Sequence, residues 1–331
     1  MQIVRPAAFF SEYSEAGRPV DRHSKRLTQK ENALMNLKMV VISNFRHVAR
    51  SILQMFEPIF LEYFPAHLRW ERNEPTDWPL ANNREKEGLE RYEYSLFSQN
   101  GEDGILRFLF SEIGFSSKTL VEFGFGVTEN NSLRLILIEN FSGVLIDGLS
   151  ASVKAFNKGM KNIGIANVKA VSKFLDLANL KTTLLGNELP FEIDLLSIDV
   201  DGNDYWFWKD INYLNPRIVV IEYNASLGPE FSLSVPYDPL FDRHQKHLSG
   251  FYHGASLTAL TKLAREKGYI LAGCDSNGVN AFFVRLDCAT QRIREMSPLN
   301  AYRPHATRLK KGSSVQDQFE IIKGLPFVVI E

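Results

Sequence analysis

Hydrophobic and polar positions alternate with two different periods along this chain, and the change of period divides it. Residues 1–28 are polar and mixed in charge. From Thr28, apolar residues recur at steps of three and four: Leu34, Leu37, Val41, Phe45, Val48, Ile52, Met55 and Ile59. That spacing places them in one stripe along a helix, which Pro58 and Pro65 break or bend. The stripe packs on its own domain or forms a helix-to-helix contact in a homodimer, and Arg46 and Arg50 add the option of a membrane surface. Residues 66–93 are charged, contain prolines and read as a connector.

Beyond that connector, short apolar runs take turns with helical patterns. Strands are expected over 118–126 (KTLVEFGFG), 142–148 (SGVLIDG), 166–174 (ANVKAVSKF), 191–202 (FEIDLLSIDVDG), 216–224 (PRIVVIEYN), 269–275 (YILAGCD) and 280–287 (NAFFVRLD). Helices are expected over 132–140, 150–162 and 256–268. Strand and helix in alternation predict a parallel sheet with helices on both faces. The Asp275-Ser276-Asn277-Gly278 turn joins the last two strands as a hairpin, so one of them runs antiparallel to the rest. The predicted fold class is α/β: a Rossmann-like, mostly parallel seven-stranded sheet with an antiparallel C-terminal hairpin and an N-terminal helical extension. Its expected parts are 1–93, a central domain over 94–290 and a C-terminal extension over 291–331.

Composition narrows the function. In 331 residues, 44% are hydrophobic and 23% charged, as in ordinary globular proteins. A formal net charge of −1 gives no field that would draw the chain to nucleic acid. Cys274 and Cys288 have neither metal-ligand nor disulfide-framework spacing, which points to a reducing compartment. No secretory pattern opens the chain and no apolar run approaches the roughly 20 residues of a membrane span. The expectation is a cytoplasmic protein without a transmembrane segment.

In a doubly wound sheet, ligands sit beyond the carboxyl ends of the strands. The first predicted strand ends there in VEFGFGVTENN. Gly124 and Gly126 permit a sharp turn and a close ligand, and Glu122 can accept from an amine or hydroxyl. Asn130, Asn131 and Ser132 begin the next helix, where free N–H groups can hold a carboxylate. Asp147, followed by Gly148, ends the second strand about 20 residues on, where a carboxylate takes both hydroxyls of an adenosine ribose. A nicotinamide dinucleotide suits the same turn but wants a third glycine. Glu129 stands in that position, and an acid repels a pyrophosphate. S-adenosylmethionine carries a sulfonium and an ammonium and no phosphate, so it is the preferred cofactor.

The fourth strand ends in LLSIDVDGNDYWFW (195–208). Asp199, Asp201, Asn203 and Asp210 match positions 1, 3, 5 and 12 of a calcium loop, but Asp204 replaces the required glycine and the preceding segment is strand-like. As a Rossmann strand, the segment brings Asp199 out beside the cofactor, with Asp201 and Asn203 on the substrate side. Tyr205, Trp206 and Trp208 wall the pocket or belong to the core of the following helix.

SQNGEDGIL (98–106), LVEFGFGVTENNSLRLI (120–136), GVLIDG (143–148), IDLLSIDVDGNDYWFW (193–208) and the tail over 254–285 resemble the FkbM-type branch of S-adenosylmethionine-dependent methyltransferases. The resemblance covers roughly residues 95–287. It implies O-methylation of a sugar, a glycan or a secondary metabolite. It further implies that Glu122, Gly124 and Gly126 border the methionine moiety, that Asp147 takes the ribose, and that Ser172 or Lys173 flanks the adenine. Asp199 would face the cofactor or a metal. Gln99 and Asp103 lie in a lid over the cofactor or in a helix cap.

An alcohol acceptor must lose its proton to a base or have its pKa lowered by a metal. Glu222 and Asn224 end the fifth strand and, with Asp199 or Asp201, make a candidate all-oxygen Mg²⁺ site. Asp201 and His253 are the candidate catalytic residues, and His244 and His247 are placed to meet the acceptor. Two other readings compete with the methyltransferase. One is an NAD(P)-dependent oxidoreductase; the other is a non-catalytic platform whose N-terminal helix binds a protein partner.

Overall fold

A computed structural model of the chain describes residues 3–4 and 73–331. The apolar stripe over 34–59, and with it the proposed dimer helix, lies outside the described residues.

All seven predicted strands form. They are β2 (Thr119–Phe123), β3 (Ser142–Asp147), β4 (Val168–Ser172), β5 (Glu192–Ile198), β6 (Asn215–Glu222), β8 (Tyr269–Cys274) and β9 (Asn280–Arg285). Their order across one sheet is β4-β3-β2-β5-β6-β9-β8. β2 through β6 are parallel neighbours, and β9 runs antiparallel to both β6 and β8. This is the mostly parallel, Rossmann-like sheet with a closing hairpin that the alternating pattern predicts. The order reverses between β2 and β5, which opens a crevice at their carboxyl ends.

The period of two along each strand divides the core between the two faces. Val121, Phe123, Val144, Ile146, Leu196, Ile198, Val219 and Ile221 point to one face. There they meet Tyr205, Phe207 and Trp208 of helix Asp204–Asp210 and Leu257, Leu260 and Leu263 of helix Leu257–Glu266. Leu120, Leu145, Leu195, Ile218 and Val220 point to the other face. These pack on helices Glu102–Ile113 and Ser150–Asn162. Helix Glu102–Ile113 is anticipated from the sequence only as the helix-cap alternative for Gln99 and Asp103, without defined bounds. Its signals were Glu102 and Asp103 in the first turn and Gly114 at the stop, which complement the helix dipole and permit the left-handed exit.

The segment 291–331, read from sequence as an extension, shares this core: Ala301, Val328 and Ile330 pack within the first cluster. A second sheet, in the order β1-β10-β7, joins Ile3–Val4, Phe327–Val329 and Leu233–Ser234. β7 belongs to the segment between β6 and helix Leu257–Glu266, so that segment and the chain's end are hydrogen-bonded together. No helix among the described residues is long and apolar enough to cross a membrane.

Candidate functional site

The turn after β2 begins at Gly124 with φ +68°. A Cβ there would collide with the carbonyl oxygen of Asp199, and one on Gly126 with that of Glu129. Gly124 is therefore required by the close approach of the turns that follow β2 and β5, and Gly126 by the tight folding of its own turn. The crevice beside them is lined by Gln99, Asn100, Glu102, Glu122, Glu129, Asn131, Asp199 and Asn280 together with the two glycines. Its volume is about 110 Å³, several times the space that one water needs. Four acids and no basic residue line it.

Glu122 is 2% exposed. It accepts from the Asn131 N–H at 3.0 Å and from Ser132 Oγ. Burial pushes it up to about 7, against the opposing pull of those donors. The N–H groups of Ser132 and Leu133 donate to Asn130 Oδ1 at 3.0 and 2.8 Å, and that of Asn130 to the Phe97 carbonyl. The free N–H groups expected at 130–132 are thus already bonded within the protein. A short helix beginning in a buried turn satisfies its first donors from nearby side chains rather than from a ligand.

Of the other residues expected at the cofactor, Gln99, Gly124, Gly126, Asn131 and Asp199 line the crevice. Gln99 reaches across to Glu129 at 3.4 Å. Asp103 does not line it: fully buried, it accepts from the N–H groups of Leu96, Phe97 and Ser98 and pins the loop to the helix. Asp147, Gly148, Ser172 and Lys173 stand together at the neighbouring strand ends, outside that lining. Asp147 pairs with Ser172, and its carbonyl accepts from the Lys173 N–H at 2.9 Å. Its carboxylate accepts from the Leu149 N–H at 2.6 Å, and burial raises its pKa above the ordinary value. The ring of Phe174, 59% exposed, lies beside Gly148.

On the other side of Asp199 the acids gather more densely. Carboxylate oxygens of Asp199, Asp204 and Glu222 come within 4.8 Å of one another. Burial, then the charges of Glu222, Asp201 and Asp204, pushes Asp199 well above the carboxylate range. Burial likewise pushes Glu222 up to about 8 and Asp204 up to about 6. The donor set suits a hard divalent cation, and Glu222 Oε2 is buried without a hydrogen-bond partner. The membership differs from the sequence expectation. Asp201, in a left-handed turn at φ +58°, turns to an ion pair with Arg243. Asn224 caps the following turn: its Nδ2 donates to the carbonyls of Phe251 and His253, and its Oδ1 accepts from the Ser226 N–H. Asp204 takes the third corner instead. Because Asp204 opens helix Asp204–Asp210 and accepts from the N–H groups of Val200 and Gly202, that turn folds it back toward Asp199.

The aromatics after Asp204 belong to the core. Tyr205 and Trp208 are 1% exposed, and Trp206 Nε1 donates to the Val235 carbonyl at 2.8 Å.

His253 is 1% exposed. Its Nε2 lies 3.0 Å from the Arg308 guanidinium and its Nδ1 3.6 Å from Glu222. Burial, then Arg243 and Arg308, holds it well below the ordinary histidine range. His247 bonds Ser249 at 2.8 Å within its own loop, and His244 lies in the short helix Arg243–Lys246. Two cations that the sequence did not single out complete the site. Arg243 reaches in from the segment after β7, and Arg308 from the C-terminal segment. Neither has a local motif; only the fold brings them to the acids.

No family model and no curated protein matches the chain. Solved structures do. The N-terminal domain of EvdMO1 with bound S-adenosylhomocysteine matches at 13% identity and TM-score 0.36, covering 71% of this chain and 94% of that one. Magnesium protoporphyrin IX methyltransferase from Synechocystis PCC 6803, also with S-adenosylhomocysteine bound, matches at 16% and 0.37, covering 69% and 98%. An S-adenosylmethionine-dependent methyltransferase from Clostridium acetobutylicum ATCC 824 matches at 10% and 0.37, covering 56% and 92%.

Proposed function

We propose that this chain is an S-adenosylmethionine-dependent methyltransferase that methylates a hydroxyl oxygen, on a sugar, a glycan or a secondary metabolite. One observation carries the reading: the crevice at the switch point of the sheet is lined by four acids and no basic residue. Such a lining gives a pyrophosphate no counter-charge and offers acceptor oxygens to a sulfonium and an ammonium. It therefore disfavours the nicotinamide alternative. Asp147, at the end of the adjacent strand, takes the ribose hydroxyls, and Ser172, Lys173 and Gly148 border the adenine.

The donor supplies an electrophilic methyl carbon. The acceptor oxygen forms a bond to that carbon as the sulfur–carbon bond breaks, and the hydroxyl proton leaves. The protein's part is to place the oxygen in line and to take the proton. A Mg²⁺ ion, held by Asp199, Asp204 and Glu222, would lower the hydroxyl's pKa. Asp201, whose side chain is 47% exposed and is fixed by Arg243, is the carboxylate placed to receive the proton. His253 stands behind the acids, where its Nε2 bonds Arg308 at 3.0 Å. The small-molecule acceptor enters beneath the segment that carries Arg243 and His244.

The test is calorimetry followed by turnover. Binding of S-adenosylhomocysteine in the micromolar range, no binding of NAD, and transfer of labelled methyl to a hydroxylated acceptor support the reading. Binding of NAD with none of S-adenosylhomocysteine overturns it.

A further inference from the structure

Glu102 is 1% exposed and meets no cation among the described residues. Its oxygens accept only from neutral donors: the Asn100 N–H at 2.6 Å, Asn100 Nδ2 at 2.9 Å and Asn280 Nδ2 at 2.8 Å. Those bonds fix the orientation of two amides, because an ionised carboxylate only accepts. Asn280 must turn its nitrogen to Glu102, so its Oδ1 faces the other way. That oxygen is buried, on a residue 4% exposed, and has no hydrogen-bond partner. Asn100 cannot serve it, since its Nδ2 is held by Glu102 and its Oδ1 accepts from Asn277 Nδ2 at 3.3 Å.

Asn280 and Glu102 both line the crevice. The backbone places Asn280 there for a reason that the sequence pattern does not announce. It begins β9, directly across from Glu222 at the end of β6, so the hairpin delivers its side chain to the same rim as the parallel strands. An unpartnered buried acceptor costs free energy unless a donor arrives. A buried carboxylate with no counter-charge adds the demand that the donor be cationic.

We propose that Glu102 and Asn280 form a subsite for a primary ammonium group. The inference rests on the donor reading above, in which this group is the α-ammonium of the methionine moiety. The amino end of the ligand then points to the hairpin formed by β8 and β9 and to helix Glu102–Ile113. The ammonium donates to Asn280 Oδ1 and to Glu102, and the neutral amides of Asn100 and Asn277 hold that pair in place.

The experiment measures calorimetric affinities of the full chain for S-adenosylhomocysteine and for its analogue without the α-amino group. Wild type is expected to bind the former about ten- to a hundredfold more tightly, the range for a hydrogen bond to a charged group. Asn280→Leu should lower affinity for S-adenosylhomocysteine by about tenfold and leave the deaminated analogue within about twofold. Asn280→Asp should keep the preference. Equal affinities in wild type would show a subsite filled by water and overturn the proposal, as would a loss in Asn280→Leu that falls equally on both ligands. Those results leave the donor reading standing. If neither adenosyl ligand binds wild type, the donor reading fails and the subsite assignment fails with it. The wild-type comparison does not depend on any variant folding.

Discussion

His253 Nε2 sits 3.0 Å from the Arg308 guanidinium. A guanidinium only donates, so Nε2 carries the lone pair and the ring proton lies on Nδ1, toward Glu222 Oε2 at 3.6 Å. Arg308 also donates to Ser226 Oγ at 2.6 Å, and Ser226 donates to Gln318 at 2.7 Å. The C-terminal segment thereby holds the histidine neutral, with its two ring nitrogens facing Arg308 and Glu222. His253→Asn is expected to reduce turnover less than tenfold and leave the pH–rate profile unchanged, where loss of a general base would cost about 10²–10⁴-fold. It should lower stability by roughly 1–3 kcal/mol by leaving Arg308 short of a partner. Steady-state kinetics across pH and urea denaturation measure the two effects.

The proposed ion site predicts a contrast between neighbours. Asp199→Asn is expected to abolish Mg²⁺ binding measured by calorimetry. Asp201→Asn should retain it within about threefold, because Asp201 faces Arg243 and not the three-acid cluster. Treatment with EDTA should halt turnover, and undiminished turnover would remove the ion from the mechanism.

Gly124 is fixed by both its φ of +68° and the Asp199 carbonyl beside it. Gly124→Ala should fail to accumulate as folded protein. Gly164 has φ +79° and nothing within 4 Å of an added Cβ. Gly164→Ala should therefore cost only the left-handed backbone term, roughly 1–2 kcal/mol. Thermal denaturation of the two variants separates collision from backbone preference.

Glu122 supplies a pH dependence with a definite sign. Its folded pKa of about 7 lies above its unfolded value near 4.5. Between those values the native state binds more protons than the unfolded chain, so this group's contribution falls as pH rises from about 5 to 7 and is flat above. The span corresponds to roughly 3 kcal/mol at 1.4 kcal/mol per unit. Glu122→Gln should remove that slope. Stability of wild type minus that of the variant, measured by urea titration at several pH values, should decline across the window; a flat difference would contradict the burial argument.

Asp147→Ala is expected to weaken S-adenosylhomocysteine by about ten- to a hundredfold through loss of a charge-assisted bond to the ribose. Full retained affinity in calorimetry would refute the ribose assignment.

Local pattern determined the sheet. The runs ending at Phe123, Asp147, Ser172, Ile198 and Glu222 are buried strands because their apolar residues repeat over the length of a strand between turn residues. The glycine turn marked the crevice, since Gly124 is legible as a sharp turn without knowledge of what it abuts. Position along a parallel strand fixes which end carries a side chain, so Glu122 and Asp199 could be placed at the crevice from sequence alone.

Tertiary structure decided the rest, because each remaining partner comes from a distant segment with no period of its own. Arg243 meets Asp201 and Arg308 meets His253 across 42 and 55 residues of chain, and Asn280 meets Glu102 across 178. The direction in which Asp204 and Asn224 point was likewise set by the hydrogen bonds of their turns. Asn280 and Glu222 each keep a buried oxygen without a hydrogen-bond partner, and nothing in their local sequence shows it. Hydrophobic periodicity records burial and face, whereas hydrogen-bond satisfaction is a property of the assembled three-dimensional neighbourhood.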